Sequence, residues 1–384
     1  MKSIELQNII AKGEDSATQF KQNITNPKQL AEEFVAMSNC MGGKIIIGVD
    51  DNSVIVGISQ DDTRRLNQLI SNVASELVKP PVYPNTQILE IDKKNVLVIT
   101  LPYGSEKPYC TNDGIFITKS GSDKRKMSQG ELRRLFQESG KLFADETIIK
   151  SVDFSDIDKE LFKEFYKKKF KEPFDETTQS ITDIFGNLNL ADNGKINLAG
   201  ALLFSSNHFK IPSNCKIIAV SFLGNSISGT EYRDSENIEG NLQKQFNKGL
   251  SFMMRNLKKL QNDQHFNSIG IMEIPKIVLE ELLANALIHR NYFIESDIRI
   301  LIFDDRIEII SPGKLPNNLT VEKIKRGVSV KRNPTLASFA FDLIPYRGIG
   351  SGILRVLESY PNVEFYNETE IDQFKAIIYR PLAD

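Results

Sequence analysis

The feature that most constrains the fold is a nearly apolar segment interrupted by polar residues at a fixed step. Residues 278–292 read VLEELLANALIHRNY, and Glu281, Asn285 and His289 recur every fourth residue. At about 100° per residue this step drifts by only about 40° each time, so the three side chains form one stripe on a helix. The other positions are mostly apolar and favour burial. The segment therefore predicts a helix packed on several sides, whose polar stripe faces either a ligand or a solvated edge.

Composition and charge limit the classes of function. A chain of 384 residues predicts two or three domains. Its 48 basic and 50 acidic residues give a formal charge of -2, so any contact with nucleic acid must be local. The 3 cysteines show no metal-ligand spacing, which favours a reducing compartment without disulfides. The sequence shows neither a signal peptide nor an apolar run long enough to span a bilayer, so we expect a cytoplasmic protein without a membrane partner.

The N-terminal part predicts a compact α+β domain over residues 1–142. Residues 28–41 have the apolar spacing of a helix, and the passage GGKIIIGVDD that follows predicts a glycine stop and a buried strand at Lys44–Val49. The segment SVIVGI is expected to pair with that strand as a hairpin. Two more strands surround the DKKN turn, and SQGELRRLFQESG predicts a helix with a serine N-cap.

The remainder divides by composition into two further parts. Residues 143–270 read as an α/β connector, charged and aromatic at first and then richer in buried segments. Residues 271–384 alternate the helix at 278–291, a hairpin, a loop, a helix at 351–359 and two final strands. We therefore expect a third, C-terminal α/β domain.

Two glycine-containing segments follow the polar helix. A tight turn at Ser311, Pro312 and Gly313 ends the hairpin, and Gly348, Gly350 and Gly352 come directly before a helix. Glycines at such a place let backbone amides approach phosphate oxygens at a helix N-terminus. The sequence contains no GxxxxGK[ST] motif and no βαβ context for a dinucleotide fingerprint, which argues against P-loop and Rossmann folds.

The order of polar helix, turn and glycine loop resembles the GHKL ATPase superfamily. Within it, the chain is most similar to the divergent branch found in Schlafen/Alba-like (divergent AAA-4) bacterial proteins described as transcriptional regulators. The resemblance implies a GHKL-like α/β sandwich over residues 271–384 that binds ATP and Mg²⁺. It assigns Asn285 to the metal, Glu281 to activation of the attacking water, and the three glycines to the phosphates. An amide oxygen is a hard ligand that suits Mg²⁺, and a carboxylate is a suitable proton acceptor.

The same resemblance makes His289, Ser311 and Gly313 part of the nucleotide site. One residue departs from the superfamily pattern. Ser311 stands where the superfamily has the aspartate whose carboxylate reads the adenine amino group, and it lacks the charge that strengthens such a contact. The sequence therefore predicts nucleotide binding and leaves turnover open.

The N-terminal domain has a resemblance of its own. The passages GEDSATQFKQNI, SNCMGGKIIIGVDD and ITKSGSDKRKMS are similar to the Schlafen/Alba-like nucleic-acid-binding domain over about residues 1–140. In nucleolytic members, three carboxylates form a metal cluster that cleaves RNA. Glu14 matches the first carboxylate and Asp50 or Asp51 the third, whereas Gln19 replaces the second. The resemblance thus leaves a metal-dependent endoribonuclease as an alternative weakened by the loss of one charge.

Binding to nucleic acid without cleavage requires only a local cluster of cations, because phosphate neutralisation dominates such binding. The candidates in this domain are Lys21, Lys44, Lys119, Lys124, Arg125 and Lys126. The leading interpretation is a protein that binds DNA or RNA through its N-terminal domain. ATP and Mg²⁺ in the C-terminal domain would then modulate that binding, or the assembly of a homo-oligomer, in regulation or defence. The other alternative is an oligomeric scaffold in which both sites have decayed.

Overall fold

The chain has the mixed α+β structure that the sequence predicts, and it folds into two compact units. The computed structural model describes residues 3–175, 178–228, 231–260, 270–316, 319–348 and 350–381. Unit 1 is Met1–Leu142 and unit 2 is Phe143–Asp384. No helix in the described part of the chain is long and apolar enough to cross a membrane.

Unit 1 is built around a four-stranded sheet with the strand order β1-β2-β5-β4. Its elements in chain order are α1 (Ser3–Lys12), β1 (Thr18–Lys21), α2 (Pro27–Asn39), β2 (Gly43–Ile47), α3 (Gln60–Asn72), β3 (Val78–Lys79), β4 (Asn85–Ile91), β5 (Lys94–Leu101), β6 (Cys110–Thr111), β7 (Ile117–Ser120), β8 (Asp123–Lys126) and α4 (Gln129–Glu138). The helix α2 begins where Asn26 accepts the amides of Lys28 and Gln29, with Pro27 at its first position.

The central strand β2 has a neighbour on each side. It pairs in parallel with β1, which α2 allows by crossing over between them, and antiparallel with β5. The hairpin expected between this strand and the SVIVGI segment is confined to the end of the strand, where Val49 and Ile55 form an antiparallel bridge. Because β1 and β5 take both edges of β2, the rest of the segment does not extend this pairing along β2, and Ile58 forms a bridge with Asn95.

Unit 2 contains a six-stranded sheet with the order β12-β11-β15-β16-β18-β17. Its elements in chain order are α5 (Lys159–Phe170), α6 (Ile181–Asn187), β9 (Ala191–Asp192), β10 (Lys195–Ile196), α7 (Leu198–Phe204), β11 (Ile217–Phe222), β12 (Tyr232–Ile238), α8 (Leu242–Arg255), β13 (Lys259–Leu260), β14 (Ile271–Met272), α9 (Lys276–His289), β15 (Ile298–Ile302), β16 (Arg306–Pro312), α10 (Val321–Lys325), α11 (Pro334–Leu343), α12 (Gly352–Ser359), β17 (Val363–Glu368) and β18 (Gln373–Tyr379).

This sheet joins segments on both sides of residue 270. The strand β11 pairs in parallel with β15 from Ile217 opposite Ile298 onward, and one continuous core contains Phe162, Leu203 and Leu283. The structure thus places the connector and the C-terminal segment in one unit, because the ladder between β11 and β15 crosses from one to the other.

The helix α9 lies at the centre of unit 2 and positions the polar stripe. It packs against α8, α12 and β16, and its apolar residues Val278, Leu279 and Leu283 are fully buried. After its last turn, the buried Arg290 donates to the backbone carbonyls of Asn214 and Ser296, which ties the end of α9 to neighbouring loops. The stripe is consequently held against the end of β16 and the start of α12.

Candidate functional site

A cavity of about 120 Å³ lies in unit 2 between α9, the end of β16, and the loops that lead into and out of α10 and α12. Its apolar wall includes Ile309, Phe374 and Ala376 from the sheet. The structure brings together around it every residue that the sequence places at a nucleotide, namely Glu281, Asn285, His289, Ser311, Gly313, Gly348, Gly350 and Gly352.

Asn285 is the member of the stripe whose side chain has an unused polar group. Its Nδ2 atom is buried and has no hydrogen-bond partner among the described residues. A buried polar group without a partner costs roughly 1–3 kcal/mol, and a ligand in the cavity that accepted from this group would offset that cost. The same amide offers an oxygen of the hard, neutral kind that Mg²⁺ accepts. Asn285 therefore suits a metal-bound phosphate ligand.

Glu281 is not a free carboxylate. It is buried, and its Oε1 atom accepts hydrogen bonds from Nε of Arg355 at 3.1 Å and from the Nη2 atom of the same guanidinium. The remaining Nη1 atom of Arg355 donates to the hydroxyl of Ser351 at 2.6 Å. The residue assigned to water activation is thus held in an ion pair by a side chain of α12.

The glycine loop makes close contacts that side chains would prevent. A Cβ atom on Gly352 would lie 2.5 Å from Oε2 of Glu281 and 3.5 Å from Nδ2 of Asn285. On Gly350, where φ is +79°, it would collide with the backbone carbonyl of Gly327. The start of α12 therefore packs directly on the polar stripe. At Gly350 the backbone of the glycine loop contacts the backbone at Gly327.

His289 completes the stripe through a hydrogen bond and not through charge. Its Nε2 atom lies 3.0 Å from the hydroxyl of Tyr346, and the two rings meet edge to face. Burial lowers the pKa of His289 to about 4, and the positive charges of Arg332 and Lys331 add to this effect. At neutral pH the imidazole is uncharged, so it contributes polarity and shape to the cavity wall.

One end of the cavity is formed by the end of β16 and the turn that follows it. The hydroxyl of Ser311 donates to the carbonyl oxygen of Ala286 at 3.1 Å, which joins the strand to α9. Gly313 has a φ of +101°, and a Cβ atom there would lie 2.6 Å from Cβ of Asn291. Only glycine fits this position without displacing α9 from the turn.

The cavity wall carries excess positive charge. Among the described residues that line it, Glu281 is the only acid and pairs with Arg355, and the other basic residues are Lys314, Arg332 and Arg347. None of these cations was predicted from the sequence to lie at the site. For Arg332 and Arg355 the signal is present in the basic loop RGVSVKRNP and in the arginine four residues after Ser351, but no local pattern shows that either segment reaches α9. Such a wall suits a polyanionic ligand.

The predicted carboxylate cluster of unit 1 does not form a metal site. No group of three His, Cys, Asp or Glu side chains among the described residues could hold a metal ion. Glu14 accepts from Nε2 of Gln19 and from the amide of Phe20. Asp50 accepts the amides of Asn52 and Val54 within its own turn, and Asp51 is exposed. The residues present therefore do not fit the metal centre of the endoribonuclease alternative.

A buried ammonium group lies beside Glu14 and Gln19 instead. The Nζ atom of Lys119 donates to Oε1 of Gln19 at 2.8 Å and pairs with Glu33 at 2.9 Å. Its side chain is only 2% exposed. Lys119 therefore stabilises the packing of β7 against β1 and α2 and cannot reach a nucleic-acid phosphate.

The other predicted cations of unit 1 do not share one surface. Lys124 pairs with Glu32 at 2.9 Å, and Arg125 pairs with Glu131 at 2.6 Å. Lys44 lies opposite Thr18 in the register of β1 and β2, whereas Lys21 is three residues further along β1, so the two lysines project from opposite faces of the sheet. Lys126, at the end of β8, is exposed.

Comparison with known families agrees with both resemblances. Residues 14–128 match the family model described as Schlafen, AlbA_2. Residues 295–376 match the family model described as "Putative ATP-dependent DNA helicase recG C-terminal". The chain thus carries a Schlafen/AlbA_2 domain at its N-terminus and a recG-like C-terminal ATPase-type domain. The second match begins after α9 and includes the turn at Gly313 and the glycine loop.

Two solved structures are similar to the chain. The crystal structure of the DIP2311 protein from Corynebacterium diphtheriae is 18% identical, with a TM-score of 0.47, over 98% of this chain and 80% of that chain. The solution structure of the N-terminal domain of a RecG-related protein from Nitrosomonas europaea is 20% identical, with a TM-score of 0.24, over 34% of this chain and 95% of that domain. No curated protein sequence matches the chain.

Proposed function

We propose that unit 2 binds a nucleoside triphosphate together with Mg²⁺, in the manner of GHKL ATPases. The observation that carries the proposal is the unpartnered amide of Asn285, buried in the wall of a cavity rich in positive charge. Asn285 would hold the metal, the backbone around Gly348, Gly350 and Gly352 would contact the phosphates, and the turn at Gly313 would contact the base. Bound Mg²⁺ would neutralise phosphate charge and fix the orientation of the phosphate chain.

We propose further that unit 1 binds nucleic acid and that the nucleotide in unit 2 modulates this binding or the assembly of a homo-oligomer, in regulation or defence. The Schlafen, AlbA_2 match supports this part of the proposal. Among the predicted contacts, Lys126 is an exposed candidate, whereas Lys119 is buried in an ion pair. Phosphate contacts in unit 1 would therefore involve only some of the six basic residues predicted from the sequence.

Isothermal titration calorimetry with a nonhydrolysable ATP analogue and Mg²⁺ tests the nucleotide site. The wild-type chain should bind, and Asn285→Ala should lower the affinity at least tenfold, about 1.4 kcal/mol. Asn247→Ala is a matched control, because Asn247 is an exposed residue within α8 of the same unit. Absence of binding by the wild type would refute the proposal, as would an equal effect of the two substitutions.

Filter binding across a salt series tests the nucleic-acid part. A protein that neutralises phosphates should show a steep linear fall of log affinity with log salt, whereas a scaffold with decayed sites should show no such slope. The measurement is made with single-stranded DNA and with RNA, each with and without the ATP analogue. Sedimentation of the same samples reports on the homo-oligomer. An unchanged salt slope and unchanged mass on addition of nucleotide would contradict the proposed modulation.

A further inference from the structure

The ion pair between Glu281 and Arg355 lies on the wall of the cavity. The side chain of Glu281 is 5% exposed and that of Arg355 is 25% exposed, and both line the cavity. Glu281 projects from α9 and Arg355 from α12, so the pair connects the polar stripe to the helix that follows the glycine loop. One partner is thus enclosed by protein while the other remains accessible from the cavity.

Glu281 depends on this contact. An unpaired carboxylate at such a buried position would carry a large desolvation cost, which a hydrogen-bonded guanidinium offsets. The other carboxylate oxygen, Oε2, lies close to Gly352 at the start of α12. One oxygen of Glu281 is therefore bonded to Arg355, and the other lies next to the start of α12.

A phosphate chain would compete for the same guanidinium. The side chain of Asn285 lies one helical turn from Glu281, and both of them face Gly352. A ligand that binds Asn285 through its phosphates therefore brings several negative charges close to Arg355. The planar guanidinium binds phosphate oxygens in the same bidentate manner as a carboxylate, and a terminal phosphate carries more charge than Glu281.

We propose that Arg355 is the residue that recognises the terminal phosphate of a nucleoside triphosphate, and that it leaves Glu281 to do so. The exchange gives one side chain two partners: the carboxylate of α9 in the structure described above and the terminal phosphate in the complex. Glu281 becomes available to hydrogen-bond a water molecule only when a triphosphate is bound. A diphosphate, which lacks the terminal group, leaves the ion pair in place. This inference rests on the proposed nucleotide site.

Calorimetry in the Glu281→Gln background separates the contact with phosphate from the repulsion due to Glu281. Glu281→Gln removes the competing charge, so the affinity for the triphosphate analogue should rise roughly tenfold, about 1.4 kcal/mol. Adding Arg355→Ala to that variant should lower triphosphate affinity by about 10- to 100-fold and change ADP affinity by less than about twofold. The double variant contains no unpaired buried charge, and its melting temperature checks that it folds.

Arg255→Ala is the control, because Arg255 ends α8 in unit 2 and pairs with Asp234 and Glu236 outside the cavity. It removes the same charge and should leave both affinities unchanged. Equal loss of triphosphate and diphosphate affinity in the Arg355 variant, or no loss of either, would overturn the role of Arg355 while leaving the nucleotide site intact. Failure of the wild type to bind any nucleotide would instead overturn the proposed function and this inference with it.

Discussion

The backbone carbonyl of Gly327 occupies the space that a Cβ atom on residue 350 would need. Gly327, which follows α10, and Gly350, which precedes α12, both have positive φ angles, of 85° and 79°. The backbones of the segment after α10 and of the glycine loop are therefore in direct contact at this point, and a side chain at residue 350 would separate them. Because both segments line the cavity, their contact determines the shape of this part of its wall.

Substitution of Gly350 by Ala should separate these two segments and lower the affinity for the ATP analogue roughly tenfold or more, about 1.4 kcal/mol. Gly224→Ala provides a close control, since Gly224 has a φ of +80° and a Cβ atom there would meet nothing within 4 Å. Both variants should lose about 1 kcal/mol of stability through backbone strain, but only the first should lose affinity. Equal affinities in calorimetry would show that the contact does not shape the site.

The hydroxyl of Ser311 predicts a preference among bases. Its hydrogen is donated to the carbonyl of Ala286, so toward the cavity the oxygen can only accept. The 6-amino group of adenine can donate to it, whereas the 6-oxo group of hypoxanthine cannot. ATP should therefore bind about tenfold more tightly than ITP.

Competition titrations with the two nucleotides measure that ratio directly. In Ser311→Ala the ratio should fall toward one. Ser338→Ala, which removes an exposed hydroxyl bonded to the carbonyl of Pro334, should leave the ratio unchanged. A preference for ITP in the wild-type chain would show that Ser311 does not contact the base.

A buried carboxylate predicts that stability falls as pH rises. Oδ2 of Asp145 accepts the amide of Leu336 at 2.8 Å, near the start of α11, and Oδ1 has no partner among the described residues. Burial, with a smaller effect from the charge of Glu146, raises the pKa of Asp145 from 3.8 to about 7. The folded state therefore binds a proton more tightly than the unfolded state, and between about pH 4 and pH 7 the free energy of unfolding decreases as pH rises.

Asp145→Asn should remove this dependence, because the amide is neutral throughout. Relative to wild type, its melting temperature should be higher at pH 8 than at pH 5, by several degrees. Asp183→Asn, at an exposed position on α6, controls for the loss of a surface charge. A difference in melting temperature that does not change between the two pH values would show that Asp145 titrates normally.

The buried pair of Lys119 and Glu33 predicts a large loss of stability in unit 1. Lys119→Met leaves the mostly buried carboxylate of Glu33 without its closest partner and should cost about 3 kcal/mol. Adding Glu33→Gln should recover much of this cost, because no uncompensated charge remains. Lys126→Met, at an exposed position on β8, should change stability by less than about 0.5 kcal/mol. Urea unfolding followed by circular dichroism measures all three, and equal effects at positions 119 and 126 would contradict the buried pair.

Local sequence patterns were sufficient for most of the individual elements. The strands on either side of the DKKN turn are present as β4 and β5, and Ser128 caps α4 as its sequence indicates. The recurrence of polar residues at every fourth position of residues 278–292 predicted α9 and its polar stripe. These predictions succeed because helical and extended periodicities depend only on residues that are close together in the chain. The two resemblances were carried by short motifs that are likewise contiguous in the chain.

Contacts between distant residues were decided by the tertiary structure. No local pattern indicates that Arg355 would reach Glu281, 74 residues earlier, or that Lys119 would neutralise Glu33 and lie against Gln19. Nor does the sequence show that β11 would join β15 and merge two segments into one sheet. By itself the sequence determined which helices and strands form and which polar groups they carry. Packing then decided which charges meet, because burial leaves a charged side chain stable only beside a partner that the fold brings to it.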